Sequence, residues 1–212
     1  MPEWHNHFCV STVQLTTQGT LRLIQRIQII TIAWMSFEAA LSLWAAWMAR
    51  SPALAAFGGD SAVELLSATV VLWRFRGQAS ERAEEHAARI AGGLLFVLAA
   101  CVIVCSAMSL LGYGQPRPSY LGMAVLIAAA LVMPWLAREK RRLSALTGSA
   151  ALRADAAESA LCAYLSIIAL VGLAVHALWH IEWADPIAAL ALTPLILYEA
   201  REAIRGKHCG CY

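Results

Sequence analysis

The chain has 212 residues, of which 60% are apolar and 14% charged, with a mean hydropathy of +0.62 and a formal net charge of +2. That balance excludes an ordinary soluble domain and points to an all-α polytopic membrane protein. So small a net charge gives no sign of a nucleic-acid partner, and six cysteines in so apolar a chain do not make a disulfide framework.

The first 20 residues are polar and lack the short apolar core and cleavage site of a secretory signal, so the first apolar run is expected to be retained as a helix. A helix needs about 20 apolar residues to cross a hydrocarbon core of roughly 30 Å. Six runs meet that length, at about 22–49, 52–74, 89–112, 119–137, 150–178 and 184–203. Ser51-Pro52 reads as the N-cap and first-turn proline of the second helix, and Asp185-Pro186 reads the same way for the sixth. Gln115-Pro116-Arg117-Pro118 separates the third from the fourth. Gln78 to His86, with three glutamates among arginines, is expected to be a solvated helix end or short loop.

Arg22, Arg26, Arg74, Arg76, Arg82, Arg138, Lys140, Arg141, Arg142, Arg153, Arg201, Arg205 and Lys207 flank one set of helix ends, against Arg50 and Arg117 on the other. The positive-inside rule then places both termini in the cytoplasm, in keeping with an even number of spans. Six tryptophans near helix ends, Trp44, Trp47, Trp73, Trp135, Trp179 and Trp183, fit an aromatic belt. The organisation expected is a cytoplasmic segment over 1–21, a six-helix transmembrane domain over 22–205 and a short His/Cys cytoplasmic tail over 206–212.

Two polar signatures interrupt the apolar runs. Gly58-Gly59-Asp60-Ser61-Ala62-Val63-Glu64 places Asp60 and Glu64 on one face of the second helix, and Ala154-Asp155-Ala156-Ala157-Glu158-Ser159-Ala160-Leu161-Cys162 does the same for Glu158 and Cys162 on the fifth. Counted at 1.5 Å per residue from opposite ends of the membrane, both pairs reach about 13 to 19 Å, the middle of the bilayer. Intramembrane carboxylates cost several kcal/mol each on insertion scales and are functional by default. Asp60, Glu64, Glu158 and Cys162 therefore form a candidate tetrahedral metal shell of three carboxylates and a thiolate. The competing explanation is acids held by interhelical hydrogen bonds to Ser61, Ser67 or Thr69.

Glu38, deep in the first helix, is an accessory candidate as ligand or proton carrier, unless neighbouring hydroxyls satisfy it. Asp155 is another, with pairing to Arg153 as its alternative, whereas Asp185 reads as a helix cap. His208, Cys209 and Cys211, with His5, His7 and Cys9, offer soft ligands at the two ends without a recognised finger spacing. Cys101 and Cys105 read as small residues at a close helix contact, and His176 and His180 as an interfacial pair.

Gly59-Asp60-Ser61-Ala62-Val63-Glu64 resembles the second-helix G-x-D-S-x-x-D/E motif of the cation diffusion facilitator (cation efflux) family. Ala154-Asp155-Ala156-Ala157-Glu158 to Cys162 resembles the family's fifth-helix A-D-x-x-H-x-x-x-D motif, with Glu158 in place of the histidine and Cys162 in place of the last aspartate. With only Gly206 to Tyr212 after the sixth run, the resemblance is to a compact form without the cytoplasmic metallochaperone-like domain. It implies a transporter rather than an enzyme. The expected cargo is a divalent metal, Zn²⁺ foremost, with Cd²⁺, Mn²⁺, Fe²⁺ and Co²⁺ as related ions, and no resident cofactor.

The same resemblance implies exchange of metal for protons by alternating access, and a homodimer, here held by membrane helices; the compactness of the chain suggests a bacterial inner membrane. Physics points the same way on protons, because clustered acids in a low-dielectric site hold protons that metal binding must displace. The rival function is a membrane metal-binding regulator or scaffold without transport. An intramembrane aspartyl hydrolase would leave Glu64 and Cys162 idle.

Overall fold

The computed structural model describes residues 4–76, 81–147 and 150–205. Six helices account for nearly all of them: α1 (Trp4–Ala49), α2 (Pro52–Phe75), α3 (Glu81–Leu110), α4 (Tyr120–Thr147), α5 (Ala150–Trp179) and α6 (Ala184–Arg205). The all-helical membrane class is as expected, with three boundary corrections, the first being that α1 already begins at Trp4 rather than near residue 22. Helix α3 already begins at Glu81, inside the stretch expected as a helix end or loop, and α4 runs ten residues past the expected end at 137. Among the described residues, five helices are long and apolar enough to cross a membrane, the first over Gly19–Ala49. The sixth, α6, has 22 residues and carries Glu199, Arg201, Glu202 and Arg205 in its last turns.

The join between α1 and α2 shows how local chemistry sets these limits. Arg50 takes a left-handed conformation (φ 52°) that ends α1. Ser51 Oγ then accepts the Leu54 N–H at 3.1 Å, an N-cap with Pro52 at the first helical position. Asp185 works across the bundle: it accepts the Ser51 hydroxyl at 2.6 Å and the Ala53 N–H at 3.4 Å, so it helps cap α2 from the first turn of α6. On the same end, the Arg117 N–H donates to the Ala49 carbonyl at 2.7 Å and ties the α3–α4 connection to α1.

The helices pair most extensively as α1 with α2, α4 with α5 and α3 with α6, and α2 also meets α5 and α6. Small residues allow the close approaches. A Cβ on Gly172 of α5 would overlap that of Ala188 on α6, and one on Gly59 would lie 2.5 Å from Leu98 Cδ1 of α3. The surface is the inverse of a soluble protein's. Leu23, Phe37, Leu43, Val97, Leu131 and Val171 face outward with all six belt tryptophans, while Gln28, Glu38, Asp60, Glu64, Lys140 and Asp155 are buried.

Cys101 and Cys105 are exposed on α3, so they do not lie at the close helix contact expected of them. His176 is buried, with Nδ1 3.0 Å from the Ile181 carbonyl, and His180 is exposed in a left-handed conformation (φ 56°) just past the end of α5.

Candidate metal site

Antiparallel packing of α2 on α5 brings the two polar signatures to one depth. Ser159 donates to Glu64 Oε1 at 2.6 Å, Ser61 Oγ lies 4.0 Å from Cys162 Sγ, and Glu158 is hydrogen-bonded to Ser67. Around this contact, α1 adds Glu38, α4 adds Lys140 and α6 adds Glu199. The cluster divides into three neighbourhoods.

In the first, Glu38 Oε2 accepts the Trp34 indole N–H at 2.6 Å, and its Oε1 accepts the Ser61 hydroxyl at 2.7 Å and the Cys162 thiol at 3.6 Å. Neighbouring donors thus satisfy Glu38, and Cys162 is turned towards it. In the second, Lys140 Nζ donates to Asp155 Oδ1 at 2.9 Å and to Ser159 Oγ at 2.7 Å, and lies 3.8 Å from Glu64 Oε1. Asp155 Oδ2 accepts from Gln28 Nε2 at 2.6 Å. The partners of Asp155 are therefore Lys140 and Gln28, while Arg153 faces outward. In the third, Asp60 of α2 lies against Glu199 of α6.

Two carboxylate oxygens, Glu64 Oε2 and Glu158 Oε2, are buried with no hydrogen-bond partner. Among the described residues no three His, Cys, Asp or Glu side chains stand in an arrangement that would hold an ion, because hydroxyls, an amide and a lysine engage most of the acids. The four expected ligands thus share one buried region without closing a shell. A small apolar cluster, Ile24, Ile27, Val71, Leu143 and Leu152 with Phe75 against it, packs about one turn beyond Gln28, Lys140 and Asp155, towards the arginine-rich helix ends.

Lys140 and Glu199 were not foreseen in the site. Lys140 was expected to flank the membrane, and the structure corrects that, burying it completely. The signal lay in the spacing. Met133, Leu136, Ala137, Lys140, Leu143 and Ser144 form one buried stripe at helical period, whereas Arg138, Arg141 and Arg142 fall off it. Glu199 likewise follows buried Leu192 and Ile196 at seven and three residues. The side chains of His5, His7 and Cys9 lie outside what is described, and His208, Cys209 and Cys211 lie outside the described residues altogether.

Residues 28–206 match the cation efflux transmembrane domain. The manganese efflux system protein MneS of Bacillus subtilis (strain 168) is 25% identical over 178 aligned residues, which cover 79% of this chain and 61% of that relative. The chain thus spans less than two thirds of the length of the curated relative it matches. With most of its length matched by that domain, the chain belongs to the cation efflux family.

Proposed function

We propose that the protein exports a divalent transition-metal cation from the cytoplasm, binding it between α2 and α5 with Asp60, Glu64 and Glu158 and with Cys162 as the soft fourth ligand. The observation that carries this is the pair of unpartnered, buried carboxylate oxygens, Glu64 Oε2 and Glu158 Oε2, on facing helices of an apolar bundle. Anionic oxygens so placed attract a cation, and a divalent ion would draw the flanking acids together.

Zn²⁺ is the proposed cargo, because three carboxylates and a thiolate suit a tetrahedral, borderline-soft ion. Mn²⁺ is the second reading. It is favoured by the manganese efflux relative and by the contact of Cys162 with Glu38, which leaves the harder oxygens nearest the cargo. Export is proposed to run as metal/proton antiport with alternating access. Metal binding at Asp60, which lies beside Glu199, displaces protons that the clustered acids hold when the site is empty, and returning protons favour metal release. The protein is further proposed to sit in a bacterial inner membrane as a homodimer joined through membrane helices.

The test is the metal content of cells that express the chain under Zn²⁺ or Mn²⁺ load. An exporter lowers the content of one ion, and Glu64→Ala abolishes the effect. Content indifferent to expression, with metal still bound by the purified protein, would assign the chain to non-transporting regulators or scaffolds.

A further inference from the structure

Lys140 is 0% exposed, and an ammonium group inside a membrane bundle is costly unless carboxylates compensate it. Its contacts are graded. Asp155 holds it at 2.9 Å and is itself fixed from the other side by Gln28 of α1, so that pair anchors the lysine to α1 and α5. Towards Glu64 the contact is looser, 3.8 Å directly, with a second route in which Lys140 donates to Ser159 at 2.7 Å and Ser159 donates to Glu64 Oε1 at 2.6 Å. Glu64 therefore has one oxygen facing the lysine and the other, Oε2, unpartnered.

We infer that Lys140 is a tethered internal cation that competes with the transported metal for Glu64, lowering metal affinity and speeding release. This rests on the proposal that Glu64 is a metal ligand. The lysine draws on one carboxylate oxygen while the metal takes the other, so two positive charges share a single carboxylate in a medium that screens poorly. Arrival of the metal weakens the Lys140–Glu64 contact, and departure lets it re-form. Asp155 is then the anchor of this cation and not a ligand. Lys140 is a positioning residue: it acts on the cargo through Glu64.

The experiment compares the full-length parent, Lys140→Arg, Lys140→Met and the charge-balanced pair Lys140→Met/Asp155→Asn. Zn²⁺ and Mn²⁺ binding are measured by titration calorimetry in detergent, and flux kinetics in proteoliposomes. The paired variant is expected to bind metal about tenfold more tightly, the scale of one buried charge contact, with a lower KM and a lower kcat. Lys140→Arg, which keeps the charge, is expected to stay close to the parent in both constants. Unchanged or weaker binding in the paired variant, or its failure to fold, would make Lys140 a scaffold residue and overturn the inference. A parent that binds neither ion overturns the exporter proposal and this inference together, whereas a parent that binds and a paired variant that does not tighten overturns the inference alone.

Discussion

Asp155→Ala tests the buried polar cluster as a source of stability. The substitution removes a 2.9 Å contact to Lys140 and a 2.6 Å hydrogen bond from Gln28. At an effective dielectric of about 20, the lost attraction is roughly 6 kcal/mol before desolvation, and the remaining Lys140–Glu64 contact at 3.8 Å retains roughly 4 kcal/mol of the same gross kind. Breaking a buried pair by removing one partner costs about 3–5 kcal/mol net, since it leaves an uncompensated charge. For a chain of this length that corresponds to a fall in Tm on the order of 10 °C. Asp155→Asn should cost less, because its side-chain oxygen still accepts from Gln28. Lys140→Met/Asp155→Asn should recover most of the loss, which makes the two sites strongly non-additive. Thermal unfolding in detergent, followed by tryptophan fluorescence, measures all of these. A fall under about 1 kcal/mol for Asp155→Ala, or a paired variant as unstable as the sum of the singles, would refute the ion-pair assignment.

Other consequences are local. Gly172→Leu should force α5 and α6 apart at Ala188, costing about 1–3 kcal/mol as overpacking and reducing flux by moving Glu199 relative to Asp60; parent-like stability and flux would show that the contact is not tight. Ser51→Ala removes the α2 N-cap and the hydroxyl that Asp185 accepts, a loss of about 1–2 kcal/mol readable as a lower unfolding temperature. Cys162→Asp should shift metal preference towards Mn²⁺ over Zn²⁺ in competition binding if the thiol is a ligand, and leave the ratio unchanged if Glu38 and Ser61 are its only partners.

Much of the architecture was legible because membrane helices are written in length and apolarity, and their ends in residues such as Ser51 and Pro52. The acids were legible for the converse reason: Asp60, Glu64 and Glu158 interrupt apolar runs, so burial follows from neighbours in the sequence. Lys140 and Glu199 escaped because they sit among other charges, Arg138 to Arg142 and Glu199 to Glu202, where composition suggests a solvated helix end. Only helical phase separates Lys140 from Arg138 and Arg141, and it matters only once α4 extends to Thr147. The cross-bundle role of Asp185 was hidden for another reason. A cap motif specifies an accepting oxygen beside free N–H groups, but which helix owns those N–H groups is a tertiary fact: Asp185 lies within the first turn of α6, not at its N-cap, and the N–H it accepts is that of Ala53 in α2.

Metal flux into proteoliposomes, measured with and without an imposed pH gradient for the parent and Asp60→Ala, tests the central claim most directly. Saturable Zn²⁺ or Mn²⁺ flux that rises with the proton gradient and vanishes in Asp60→Ala is the predicted result. Metal binding without flux, or flux indifferent to both the gradient and Asp60, would contradict the proposed antiporter.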